Sequence, residues 1–158
     1  MTRLEHTTVN LGVLSRRTGL TVLDHLEREV TIPVLEGIQA QGDLIVIPLP
    51  LVAAAVSPAN RTHWRMVPAK GLELLRSAAG GNAHTLVADR GTCEYLPSPD
   101  DNLGLALGMF HSSAPVYLLH PEHGAAGFTP GDYVVRRQRE YDHRRRTWSG
   151  GAHRLVAD

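Results

Sequence analysis

The chain has one cysteine, Cys93, one lysine, Lys70, and no apolar run of membrane-spanning length. A lone thiol excludes an intrachain disulfide and a multi-cysteine zinc site, and with them a disulfide-stapled secreted module. The longest apolar stretch, Leu44 to Val56, is cut by Pro48 and Pro50 and falls short of the ~20 residues a transmembrane helix needs. The opening MTRLEHTTVN lacks the apolar core of a secretory leader. The expectation is a soluble, cytoplasmic protein with no membrane partner. No internal repeat and no low-complexity linker divides it. Its 158 residues suit one domain, long enough to bury about 68–70% of its unfolded surface in a core.

Histidine is abundant, with nine residues, and fifteen of the sixteen basic residues are arginine. The formal net charge of zero hides an asymmetry. Residues 1–135 carry 9 basic and 13 acidic groups, net −4, whereas residues 136–158 carry 7 basic and 3 acidic, net +4.

The first 40 residues read differently from the rest. Val22, Leu23, Leu26 and Val30 recur at helical spacing, which predicts a short amphipathic helix within Thr21–Val30. Pro33 and Gly37 limit its length. Leu14-Ser15-Arg16-Arg17-Thr18-Gly19-Leu20-Thr21 is similar to the turn of a helix-turn-helix, but Pro33 leaves too little room for a recognition helix. From Asp43 onward, short apolar or alternating runs are divided by turn residues. Strands are predicted at Leu44–Ile47, His63–Val67, Leu72–Leu75, His84–Ala88, Thr92–Leu96, Leu103–Phe110, Val116–Leu119, Tyr133–Arg139 and His153–Val156. Gly104 and Gly108 count against a helix over Leu103–Met109. Thr129-Pro130-Gly131-Asp132 has the signature of a type II turn. The expected fold is all-β, a small barrel or sandwich of about eight strands over residues 41–158, with residues 1–40 as a short helical extension.

Three segments could carry chemistry. In His120-Pro121-Glu122-His123-Gly124, Pro121 favours a turn that brings both imidazoles together, with Glu122 as a third donor or a base. His84, after Gly80-Gly81 and at the head of a strand, completes a candidate ligand set. Imidazole and carboxylate donors without thiolate suit a divalent metal such as Zn, Fe or Mn. Along Tyr133–Tyr141, period-two alternation places Arg137, Arg139 and Tyr141 on one face and Gln138 and Glu140 on the other. Such a strand is either a charged edge or the wall of a polar cavity. Finally, Arg136, Arg137, Arg139, Arg144, Arg145 and Arg146, less Glu140 and Asp142, concentrate four net positive charges beside Tyr141 and Trp148. Arginine with aromatics suits single-stranded nucleic acid, although the net −4 of the preceding residues weighs against a polyanion. Cys93 reads as buried apolar filler.

Gln41-Gly42-Asp43 leading into Leu44–Ile47 and Pro48, the glycine-rich approach to His84, the His120–Gly124 turn, Pro130-Gly131 before Tyr133, and Arg137-Gln138-Arg139-Glu140-Tyr141 form a set. With the closing Val156-Ala157-Asp158, this set resembles an uncharacterised family of small bacterial and phage proteins over roughly Gln41 to Asp158. Those proteins often read Gly-His-x-His where this chain reads Gly81-Asn82-Ala83-His84. The resemblance implies no activity.

The residues themselves favour a small-molecule site in the β-domain. His84, His120 and His123 would hold a divalent metal, with Glu122, Glu140 and Gln138 as catalytic groups and Arg137, Arg139 and Tyr141 toward a ligand. The alternative is a non-enzymatic binding or assembly protein using the Arg136–Arg146 surface for nucleic acid or an acidic protein. A homo-oligomer is compatible with either.

Overall fold

A computed structural model describes residues 9–22, 26–58, 63–76, 81–142 and 152–155, with the backbone alone described at 76, 139–142 and 152–155. Among these residues the chain forms one α-helix, α1 (Leu11–Thr18), and fifteen strands. One sheet has five strands: β1 (Val34–Leu35), β6 (Leu72–Arg76), β7 (Ala83–Ala88), β11 (Val116–His120) and β12 (Gly124–Phe128), in the order β1-β12-β11-β7-β6. The other has six: β2 (Gln39–Gln41), β3 (Leu44–Pro48), β5 (Arg65–Met66), β8 (Cys93–Pro97), β10 (Ala106–Ser112) and β13 (Gly131–Arg137), in the order β2-β3-β13-β10-β8-β5. Two further pairs are β4 (Val56–Ser57) with β9 (Asp100–Asp101), and β14 (Arg139–Asp142) with β15 (Ala152–Leu155). Within these pairings only β1 with β12 runs parallel.

Alternation decides which side chains meet. On β7 and β11, Leu86, Ala88, Val116 and Leu118 join one core cluster with Leu44 and Val46 of β3, Phe110 of β10, and Tyr133 and Val135 of β13. Both sheets thus supply one core, with Phe110 stacked on Tyr133 at 5.0 Å between centroids and edge-on to Phe128 at 6.0 Å. Neither sheet closes on itself, so the expected barrel or sandwich is a sandwich of two open sheets. The strand count exceeds the expected eight because two-residue strands and the Gly/Ala-rich β12 carry little apolar pattern. Gly127 on β12 admits the β1 backbone; a Cβ there would lie 2.6 Å from the Pro33 carbonyl oxygen.

Both outer faces are covered. Val87, Tyr117 and Leu119, facing away from the core, pack under Leu11, Leu14, Val22 and Ile32 of the N-terminal segment. Arg17 ties this strap down, donating to the carbonyls of Ala69 and Ala88 and pairing with Asp89 at 2.9 Å. On the other side, Met109 and Val134 pack with Val56. That cover is held by Arg136, whose Nε and Nη2 donate to the two Asp101 oxygens at 3.0 and 2.8 Å.

Three expectations are corrected. The helix is not in Thr21–Val30, where the described residues are non-helical, but at Leu11–Thr18, inside the stretch that is similar to a helix-turn-helix turn. The Asn10 side chain caps the Val13 N–H at its start, and Gly19, at φ 73°, ends it. After it the chain runs back beside Val9, with Ile32 N–H bonded to the Val9 carbonyl, which leaves Val30 58% exposed instead of on a helical stripe. Gly131, at φ 151°, is already the first paired residue of β13 opposite Ser112, so the type II turn does not form. Arg136 belongs to no basic surface: its side chain is only 9% exposed and is spent on Asp101.

Candidate functional site

The inward series on β7 and β11 each end in histidine. His84 continues the positions of Ala88 and Leu86, and His120 those of Val116 and Leu118, so both rings enter the space between the sheets at one end. Both are 1% exposed. The β11–β12 hairpin closes over residues 121–123, with His120 paired to Gly124, which sits at φ 82°. This three-residue loop with a left-handed glycine is a common hairpin geometry, and it sets the His123 ring against His120, tilted by 37° with 4.4 Å between centroids. His84 also meets the His120 ring, tilted by 45° with 4.5 Å between centroids. The three histidines singled out in the sequence do come together, as a column running from the exposed His123 to the buried His84.

Hydrogen bonding fixes what the column can do. His120 Nδ1 accepts from the backbone N–H groups of Glu122 and His123 at 3.1 and 3.2 Å. Its Nε2 faces the Asn82 carbonyl at 3.1 Å, so Nε2 carries the proton and the ring is neutral. His84 Nδ1 meets Gln41 Oε1 at 2.9 Å and Nε2 meets Asp43 Oδ1 at 2.8 Å. Gln41 Nε2 is committed to the carbonyls of Leu118 and Gly124, which sets the amide with its oxygen toward His84. Both ring nitrogens of His84 thus face a side-chain oxygen.

The β2–β3 turn presents Gln41 and Asp43, and Gln138 secures that turn. Its Nε2 donates to the carbonyls of Gly42 and Leu44 at 2.6 and 3.0 Å, and its N–H donates to the Asp43 carbonyl. Glu122 is exposed and accepts from Asn82 Nδ2 at 3.1 Å. Gln138 and Glu122, read as candidate catalytic groups, thus sit at two ends of one polar cluster. Arg137 is half-buried on β13. Arg139, Glu140 and Tyr141 lie on β14, their side chains outside the described residues, and Arg144–Arg146 lie outside altogether. Sequence reasoning missed Asp43, Gln41 and Asn82 as the histidines' partners; the Gln-Gly-Asp turn before a strand was the available signal.

Among the described residues, no group of three or more His, Cys, Asp or Glu is arranged to hold a metal ion. In this arrangement His120 offers a cation no lone pair, since one nitrogen is protonated and the other accepts two N–H bonds. Every buried side-chain N or O among the described residues has a partner. Burial, followed by the Glu94 charge, pushes the Cys93 thiol up to about 12.

Residues 40–138 match the family described as Domain of unknown function (DUF8820). The chain belongs to this family. The DUF8820 segment opens at β2, ends at Gln138, and contains the whole polar cluster. The α1 strap and the β14–β15 ribbon lie outside it. Comparison with curated proteins and with solved structures returned no match. No helix among the described residues is long and apolar enough to cross a membrane.

Proposed function

We propose that this DUF8820 protein is a non-enzymatic binding protein that engages a polyanionic partner through its C-terminal arm, with the polar cluster serving as the frame of the sandwich. Acid–base catalysis needs a titratable atom that a substrate can reach. His84 and His120 are sealed, and their nitrogens are spent within the chain. The observation that carries the reading is the arm itself. Beyond Gln138, β14 and β15 pair with each other and join neither main sheet among the described residues. Residues 139–155 hold five arginines (Arg139, Arg144, Arg145, Arg146 and Arg154) against Glu140 and Asp142. Repulsion from the acidic remainder is screened over about 8 Å at physiological salt, so the charge concentrated in residues 139–155 acts on a partner in its own right.

Retention on a heparin column, a generic polyanion, tests this. The wild-type protein is expected to bind and to elute with salt, as counterion release requires. Changing Arg144, Arg145 and Arg146 to Gln should remove retention while leaving the β-type circular dichroism unchanged. Wild-type protein that passes straight through at low salt would overturn the proposal.

A further inference from the structure

The N-terminal strap is closed on itself. Asn10 bridges Thr31, the Ile32 N–H donates to the Val9 carbonyl, and the Gly12 N–H donates to the Arg28 carbonyl. Arg28 Nη2 reaches back to the Val22 carbonyl. What ties this unit to the β-domain, among the described residues, is apolar packing together with the Arg17 side chain. Leu11, Leu14, Val22 and Ile32 lie on the outward Val87, Tyr117 and Leu119, and Arg17 bonds to Ala69, Ala88 and Asp89. The connection is short. Ile32 is still held by the strap and Val34 is already paired with Gly127 of β12, so Pro33 alone stands between the two units.

We propose that two copies of this protein pair by exchanging straps, residues 9–32 of each lying across β7 and β11 of the other. Exchange remakes the packing and the Arg17 bonds of the single chain between chains, so the two forms differ only at the connection and where the copies meet. Both differences favour the pair. A one-residue connection whose φ is fixed by proline gives the chain little length in which to fold back, and short hinges are the ones that invite exchange. The chains of an exchanged pair cross at their hinges, side by side about a two-fold axis. There this chain exposes Val30, Leu35 and Ile38, at 58, 49 and 56%, all within five residues of Pro33. Large apolar side chains grouped at that crossing gain cover from the same group on a second copy, which selects this occupant over an unrelated partner. The pairing is independent of the polyanion reading.

Light scattering and isotope-filtered NMR on the full-length protein test this. At micromolar concentration the mass in solution should be twice the 17.2 kDa of one chain. When isotope-labelled and unlabelled chains are unfolded and refolded together, NOEs should appear between the Leu14 methyls of one kind of chain and the Val87 and Leu119 methyls of the other. Inserting about six Gly/Ser residues after Pro33 lengthens the hinge and should return the mass to that of a single chain, with circular dichroism unchanged. A single-chain mass for the wild type up to about 100 µM would overturn the proposal. So would a doubled mass without those NOEs, which would mean that the copies meet through another surface. A folded insertion variant that keeps the doubled mass would overturn it as well. The NOEs, read on the wild type, decide the matter if the insertion prevents folding.

Discussion

Asp101 and Asp43 are both carboxylates taken out of water, at 2% and 8% side-chain exposure, yet they are satisfied in different ways. Asp101 meets a permanently charged, two-pronged guanidinium and also accepts backbone N–H bonds from Leu103, Leu105 and Ala106. Apart from Arg136, its partners lie within five residues of it in the chain. Asp43 meets a titratable ring, and that ring depends in turn on Gln41, which depends on the carbonyls of Leu118 and Gly124. The turn carrying Asp43 is secured by Gln138. The first pair is a compact rivet on one outer face. The second is a relay through β2, β3, β7, β11 and β12 that joins the two sheets at their common end. A defect at Asp101 should stay confined to the β4–β9 cover, whereas a defect at His84 should spread across the cluster.

The largest effect is expected from breaking the rivet. Asp101→Ala leaves the Arg136 charge buried and unpaired, which costs about 3–5 kcal/mol, measurable by urea denaturation. Burial alone would raise the Asp101 carboxyl, but hydrogen bonds from the Leu103 N–H and the Arg136 guanidinium hold it below the usual carboxylate range. Its folded-state value is therefore depressed. The stability it supplies is present above the unfolded value of about 3.9 and is lost as pH falls through the lower folded value. The variant should lack that acid-dependent component, and an identical acid limb in both proteins would contradict the assignment.

A smaller loss, spread more widely, is expected from the relay. His84→Ala removes a hydrogen-bond partner from both Gln41 Oε1 and Asp43, at about 1–3 kcal/mol for each bond lost. Hydrogen exchange should accelerate at the amides of Glu122 and His123, which His120 holds, as well as in the β2–β3 turn. Exchange confined to β7 would show that the cluster is a set of independent contacts.

The smallest effect is expected at the exposed end of the column. His123→Ala should change stability by no more than about 0.5 kcal/mol. Titration of the wild-type protein with Zn²⁺, Mn²⁺ or Fe²⁺ should show no stoichiometric binding that the variant loses, because His120 has no free lone pair to share. A one-to-one metal complex abolished by His123→Ala would show that the hairpin can reopen around an ion, and would restore the metal reading.

Much of the β-domain is visible in the chain because period-two alternation is a local signal. Leu44–Pro48, Ala83–Ala88, Val116–His120 and Gly131–Arg137 lie within a residue or two of where apolar runs and turn residues put them. The His120–Gly124 hairpin is equally local, since a proline and a glycine at those spacings close a short loop. The helix was misplaced because Val22, Leu23, Leu26 and Val30 mimic helical spacing. The real helix is set by a cap at Asn10, a left-handed Gly19 and packing under β7 and β11.

By itself the sequence determined an all-β chain, the convergence of His120 and His123 across one turn, and the sign of charge at each end. Only the tertiary structure decided the partners. Asp43 lies 41 residues from His84, and Asp101 lies 35 from Arg136, and nothing in local spacing says which buried charge will meet which. That choice follows from strand order and register, which lay β2 and β3 against the ends of β7 and β11. The same register drew His84 and His120 into a buried hydrogen-bonded network, because burial leaves no polar atom free until each has found a partner.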